Sequence, residues 1–298
     1  MPPTSPMIPD TLRATLAHAL AAAGDTTPIR SIEWVGGGDI NEAARVVSDR
    51  SRYLVKWNLK ALPRLFEVEA RGLHLLQSAH AVRVPEAIAV IDEPPTLVLE
   101  WIDARGSKSD AATALGEQLA QQHRVLGQTY GLDHDNYIGA NEQRNQPASS
   151  WFEFFRDRRL GFQIELARRN GHLHAQRTAL IERLMARLSE WIDESACAPS
   201  LLHGDLWGGN FITGPNGEPV LIDPAVYYGD REAEIAFTEL FGGFGPKFYA
   251  AYNAAWPLAP GYADRRDLYN LYHLLNHLNL FGEGYGGSVD TVLRKYAG

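Results

Sequence analysis

The chain predicts an α+β fold in two lobes, an N-terminal lobe of antiparallel strands with one helix and a mainly helical C-terminal lobe. Three observations lead there. Residues 42–47, 52–57 and 97–102 are short alternating or apolar runs of strand type, and they bracket one segment, Leu65 to Leu76, with helical spacing. From about residue 110 the pattern changes to 3.6-type spacing over 111–126, 151–169, 176–194, 248–256 and 265–281. Within that half, residues 210–223 form a strand, turn and strand pattern, because Gly214-Pro215-Asn216-Gly217 separates two apolar runs. The lobe boundary falls near Ile102 and Asp103, giving lobes 1–102 and 103–298, and 298 residues with 45% hydrophobic content suffice for two lobes around one cleft.

Taken in order, the chain begins with a Pro-rich tail, and the Ala-rich stretch 17–23 ends a helix before Gly24. Trp34-Val35-Gly36-Gly37-Gly38-Asp39-Ile40-Asn41 is a glycine-rich turn running into the strand at 42–47. Three consecutive glycines allow positive φ and the close backbone approach a triphosphate needs, although ligand-free hairpins carry such turns too. In Arg52 to Trp57 the alternation buries one face and aims Lys56 at the cleft. Along the helix that follows, Glu69 lies at the edge of the apolar face and Glu67 nearly opposite. Glu69 is therefore the preferred ion-pair partner for Lys56, with Glu67 as the alternative. Leu97 to Ile102 is placed as the last strand of the first lobe, where backbone groups of Glu100, Trp101 and Ile102 would meet an adenine. The segment 127–147, rich in Asn, Asp, Gly and Gln, is a long connection that either lines a binding site or is solvated.

The chemistry is concentrated in His203-Gly204-Asp205-Leu206-Trp207-Gly208-Gly209-Asn210 and in Asp223, thirteen positions on. A base, an amide ligand a few residues later and a second carboxylate after a hairpin form the order used for phosphoryl transfer from ATP. Asp205 is the candidate base, and Asn210 and Asp223 are the candidate Mg²⁺ ligands, brought to one end by the hairpin between them. The upstream glycine turn, Lys56 for the α- and β-phosphates and Glu69 complete that order. His203 is expected to be a hydrogen-bonded structural residue of the loop, since Asp205 already fills the base role. Trp207 either walls the acceptor pocket or packs beneath the loop. His277, on a C-terminal helical pattern, is either a core histidine or a substrate contact.

These stretches, with Phe66-Glu67-Val68-Glu69-Ala70, Leu221-Ile222-Asp223-Pro224-Ala225 and Leu271 to Asn279, resemble the fructosamine kinase (ketosamine-3-kinase) family of the protein-kinase-like, aminoglycoside-phosphotransferase-like group. The resemblance implies a kinase that uses ATP and Mg²⁺ to phosphorylate the 3-hydroxyl of a free or protein-bound ketosamine, after which phosphate and amine leave and the amine is deglycated. Asp223-Pro224-Ala225 stands where protein kinases carry Asp-Phe-Gly, which argues against their activation switch. Some relatives carry a Cys in the glycine-rich loop where Asp39 stands here, so thiol-based dimer switching there is not expected.

Composition sets limits. A formal charge of −8 disfavours nucleic acid and anionic membrane surfaces as partners. Cys197 is the only cysteine, so no intrachain disulfide forms, and no signal peptide or 18-residue apolar run appears. A cytoplasmic protein is expected, with a monomer favoured. Two rivals remain, an aminoglycoside, choline or homoserine kinase of the same fold, and a nucleotide-binding pseudokinase, against which the intact set Lys56, Asp205, Asn210 and Asp223 argues.

Overall fold

The computed structural model describes residues 10–36, 41–58, 60 and 62–298. It divides into two compact units, residues 1–75 with 85–103, and residues 76–84 with 104–298.

The first unit is an antiparallel sheet with a helix on one face. Its strands β1 (Ile29–Trp34), β2 (Glu42–Ser48), β3 (Arg52–Trp57), β4 (Ala87–Ile91) and β5 (Thr96–Glu100) lie in the order β1-β2-β3-β5-β4. Helix α1 (Asp10–Ala22) places Leu16, Ala19 and Leu20 against Val46, Tyr53, Val55, Trp57 and Val98, forming a buried apolar core. Strand alternation decides which side chains reach it, so Lys56, between Val55 and Trp57, points to the other face. Helix α1 stops at Gly24, which takes a φ of +80°. The next residue, Asp25, is buried and accepts from the hydroxyls of Ser48, Thr27 and Tyr53, tying the helix end to β2 and β3. Burial alone would raise its carboxyl, but these hydroxyls hold it down at about 2. Helix α2 (Leu65–Ser78) follows β3, with Phe66, Val68, Leu73 and Leu76 buried.

The second unit is mainly helical. Helix α3 (Lys108–His123) starts three residues before the expected 111 because Ser107 and Asp110 form a capping box. It ends three residues before the expected 126, where Val125 and Leu126 instead pair with the strand at Ser200–Leu202. The stretch 151–169 is helical throughout, but residues Phe154–Gly161 adopt π geometry. The wider turn goes with a fully buried Arg159, whose guanidinium lies 3.9 Å from the Tyr227 ring centroid and donates to Asn145 Oδ1 at 2.8 Å. The remaining expected helices appear at Ala175–Arg187, which gives way to 3₁₀ turns at 188–190 and 194–196, at Pro246–Ala255 and at Tyr262–Phe281.

Two helices, Arg231–Leu240 and Gly286–Ala297, were not legible in the pattern. In the first, Arg231, Glu232 and Glu234 are buried by polar pairing, and these charges interleave with buried Ala233, Ile235, Ala236 and Phe237 and hide the pattern. The second opens on Gly286 and Gly287 and resembles a loop. The core of the unit joins Trp151, Phe154 and Phe155 to Leu275, Leu278, Leu293 and Tyr296.

Candidate active site

The loop carrying Asp205 leaves the strand Ser200–Leu202, which pairs antiparallel with Tyr227–Gly229. Gly204 takes a φ of +83°, and a Cβ there would lie 1.9 Å from the Ala225 carbonyl oxygen. Only glycine fits so close an approach, which is fixed by the Ala225 N–H donating to the His203 carbonyl at 2.9 Å. His203 is fully buried. Its Nε2 donates to the Ile222 carbonyl at 2.9 Å and its Nδ1 accepts from the Asp205 N–H at 3.3 Å, while burial pushes its pKa down. The ring is thus a neutral spacer between the catalytic loop and the strand end before Asp223.

The hairpin is as expected, with Phe211–Thr213 and Pro219–Leu221 antiparallel. The Ile222 N–H donates to the Asn210 carbonyl at 3.1 Å, placing Asn210 beside Asp223. Asn210 Nδ2 donates to the Asp205 carbonyl at 2.8 Å, to Asp205 Oδ2 at 3.1 Å and to the Asp223 carbonyl at 3.4 Å. The structure therefore brings Asp205, Asn210 and Asp223 together, and commitment of the Asn210 nitrogen leaves its amide oxygen as the ligand. Asp223 itself sits at a φ of +55°, a left-handed conformation unusual outside glycine. Asp205 is half-buried. Burial, then the Asp223 charge, pushes its carboxyl up to about 8, with the Asn210 hydrogen bond opposing and Glu234 adding to the rise.

Glu234 was not singled out from the sequence. It is buried, with Oε1 accepting from the Gly204 N–H at 2.7 Å and Oε2 from the His203 N–H at 3.1 Å, and His123 Nε2 lies 2.9 Å from Oε2. Burial pushes its carboxyl up, but His123 and these amides outweigh it and the carboxylate is held below its usual range. One side chain thus fixes two consecutive amides of the loop. The segment 127–147 is not a bare solvated loop, since Asn136, Gln143 and Asn145 are buried. It folds into a small hairpin, Asn136–Ile138 with Asn141–Gln143, and grips the chain beyond Asp223: Asn136 Nδ2 donates to the Val226 carbonyl at 2.8 Å and Gln143 Nε2 to the Ala225 carbonyl at 2.9 Å.

Trp207 is exposed, and its ring lies over Gly209, where a Cβ would come within 2.3 Å of ring carbons. It does not pack beneath the loop; Leu206, fully buried, does. His277 Nδ1 donates to the His273 carbonyl one turn back at 2.8 Å, and its half-buried ring sits among Phe241, Tyr285 and Phe281 at 4.7, 5.0 and 5.6 Å.

In the first unit, Lys56 Nζ lies 2.7 Å from Glu69 Oε1, with both side chains largely buried, while Glu67 pairs with Arg64. The Glu100 N–H donates to the Glu86 carbonyl at 2.9 Å, and Trp101 Nε1 donates to Asp103 Oδ1 at 2.8 Å. The strand ends at Glu100, not Ile102, which is buried. Asn41 Oδ1 accepts from Asn58 at 3.1 Å. Gly36 is exposed with open space where a Cβ would be, and it is not among the glycines with positive φ, so nothing among the described residues demands glycine there. Gly37, Gly38, Asp39 and Ile40 lie outside the described residues.

The geometry holds a half-buried carboxylate beside an amide and a second carboxylate, on a loop of the kind small-molecule kinases use. A model of the fructosamine kinase family matches residues 12–297. The chain belongs to the fructosamine kinase family. It is 40% identical over 283 residues to the chloroplastic protein-ribulosamine 3-kinase of Arabidopsis thaliana, covering 92% of this chain and 84% of that one. A crystal structure of a fructosamine-3-kinase candidate from Thermobifida fusca YX-ER1 superposes with a TM-score of 0.84 at 31% identity, covering 94% of this chain and 97% of that one. A choline kinase from Streptococcus pneumoniae superposes with a TM-score of 0.65 at 15% identity over 96% and 99% of the two chains. The fold is thus α+β and kinase-like, and membership in this family makes the protein an ATP-dependent phosphotransferase. Among the described residues, no helix is long and apolar enough to cross a membrane.

Proposed function

We propose that the protein is a ketosamine 3-kinase, transferring the γ-phosphoryl group of ATP to the 3-hydroxyl of a sugar-derived ketoamine. The observation that carries this is the junction of Asp205, Asn210 and Asp223 on a loop of the fructosamine kinase pattern. Asp205 orients the acceptor hydroxyl and takes its proton as the hydroxyl oxygen bonds to the γ-phosphorus and the bond to ADP breaks. Lys56, aligned by Glu69, serves the α- and β-phosphates. The glycine turn, Gly36 to Asn41, would cover the phosphates. The Glu100 N–H is donated to Glu86 within the sheet, and backbone groups of Glu100 to Ile102, beside Trp101, would meet the adenine.

Asn210 and Asp223 supply hard oxygen donors, and the negative charge crowding Asp205 is what a cation would relieve, so the set fits Mg²⁺. Asn210 and Asp223 would hold Mg²⁺, which would supply neutralisation of charge on the β- and γ-phosphates. Trp207, exposed beside the base, offers its ring to the sugar or its amine, and His277 stands in the aromatic cluster around Phe241. A phosphate on C3 becomes a leaving group once the ketoamine enolises, so phosphate and then amine depart without further catalysis and the amine is deglycated.

The test is ADP release with Mg·ATP and ribulose-, erythrulose- and fructose-lysine, with kanamycin and choline as rival acceptors and Asp205→Asn as control. Turnover on a ketosamine that disappears in the variant supports the assignment. Turnover on kanamycin or choline alone would overturn it.

A further inference from the structure

A cavity lies in the helical unit, and none of Asp205, Asn210 and Asp223 lines it. It has a volume of about 250 Å³, roughly eight waters' share of liquid, and its body is apolar, walled by Leu115, Phe211, Phe244 and Phe248. Its polar lining is Lys108, Lys247 and Ser109. Two of the chain's five lysines therefore meet at one apolar cavity, in a protein whose formal charge is −8. No carboxylate lines it, and among the described residues neither lysine forms an ion pair, whereas Lys56 and Lys295 pair with Glu69 and Asp267. The Lys108 ammonium donates to the Gly208 carbonyl and lies 5.9 Å from the Phe211 ring centroid. Burial pushes its pKa down, the mark of an ammonium without a counter-ion.

We propose that this cavity binds a small amphipathic monocarboxylate, an aromatic or branched-alkyl acid whose hydrocarbon body fills the space between Leu115 and the three phenylalanines and whose carboxylate pairs with Lys247 and Lys108. An ammonium has three donors, and Lys108 uses one on Gly208, so a carboxylate is accepted without breaking that bond. A neutral ligand would leave both lysines as they are, and a dianion would place charge against the aromatic walls. Because Gly208 begins the 3₁₀ turn that ends at Asn210, the occupant is felt at the catalytic loop through one hydrogen bond.

The experiment is calorimetric titration of the full chain with 3-phenylpropionate and, in parallel, with its neutral amide. The expected result is saturable one-site binding of the acid, with the amide weaker by about tenfold, the equivalent of one charge-assisted contact. Lys247→Gln, an exposed residue outside the catalytic machinery, should weaken the acid several-fold without changing the amide. Ala112→Leu, which fills the cavity from the helix side, should abolish both, with folding checked by circular dichroism. Equal binding of acid and amide, acid binding unchanged by Lys247→Gln, or no saturation of the wild type would each overturn the proposal. The readout is binding alone, so these outcomes are independent of which acceptor the kinase phosphorylates.

Discussion

Binding of Mg·nucleotide should expel a proton from Asp205, and the amount can be worked out. With its carboxyl at about 8, Asp205 holds about 0.9 of a proton at pH 7, about half at pH 8 and about 0.1 at pH 9. A cation at Asn210 and Asp223 offsets the Asp223 charge that contributes to this rise, and a carboxyl brought well below 7 gives up what it held. Titrating preformed Mg·ADP in buffers of different ionisation enthalpy measures the release directly. It should approach about 0.9 proton at pH 7, fall to about 0.1 at pH 9 and vanish in Asp205→Asn. The stability linkage has the matching sign. A carboxyl raised in the folded chain favours folding fully below the ordinary value of 3.8 and loses that contribution as pH rises through about 8, so nucleotide-free protein should weaken across that window. Release that is independent of pH, or that survives in Asp205→Asn, would refute the reasoning.

Gly204→Ala should destabilise the helical unit by about 2–5 kcal/mol in urea unfolding, combining left-handed strain with a collision against the Ala225 carbonyl, and should abolish turnover with it. A double-mutant cycle of Lys56→Met and Glu69→Gln, read by thermal unfolding and by KM for ATP, should show a coupling of about 1–3 kcal/mol, because the pair is largely buried; additive effects would mean that the contact is idle. Trp207→Ala should raise KM for the ketosamine about five- to tenfold, a loss of about 1–1.5 kcal/mol of ring contact, while KM for ATP and the unfolding midpoint stay put.

Local pattern carried much of this fold, and the places where it did not share a cause. Lys56 was legible because β alternation sets it opposite Val55 and Trp57, and the 210–223 hairpin because its turn residues are explicit. The paired carboxylate and amide followed from spacing alone. Glu234 was hidden since its partners, His123, His203 and Gly204, are remote in sequence, and its helix interleaves buried charges with its apolar residues. The 127–147 segment looked polar enough to be solvated, yet its amides are spent on the carbonyls of Ala225 and Val226. Gly36 shows the opposite limit: among the described residues its geometry gives no reason for a glycine.

The hairpin behind Asp223 holds its neighbours with Asn136 and Gln143, both neutral. A grip built from ion pairs would be screened by salt and would add its own field to carboxylates already crowded together. Uncharged amides do neither, so the anchoring strength of this segment and the proton affinity of the base can vary independently. Anyone grafting the catalytic loop onto another scaffold would therefore need to bring the hairpin too. Conversion of Asn136 to aspartate would put a negative charge into this amide grip, beside the Val226 carbonyl.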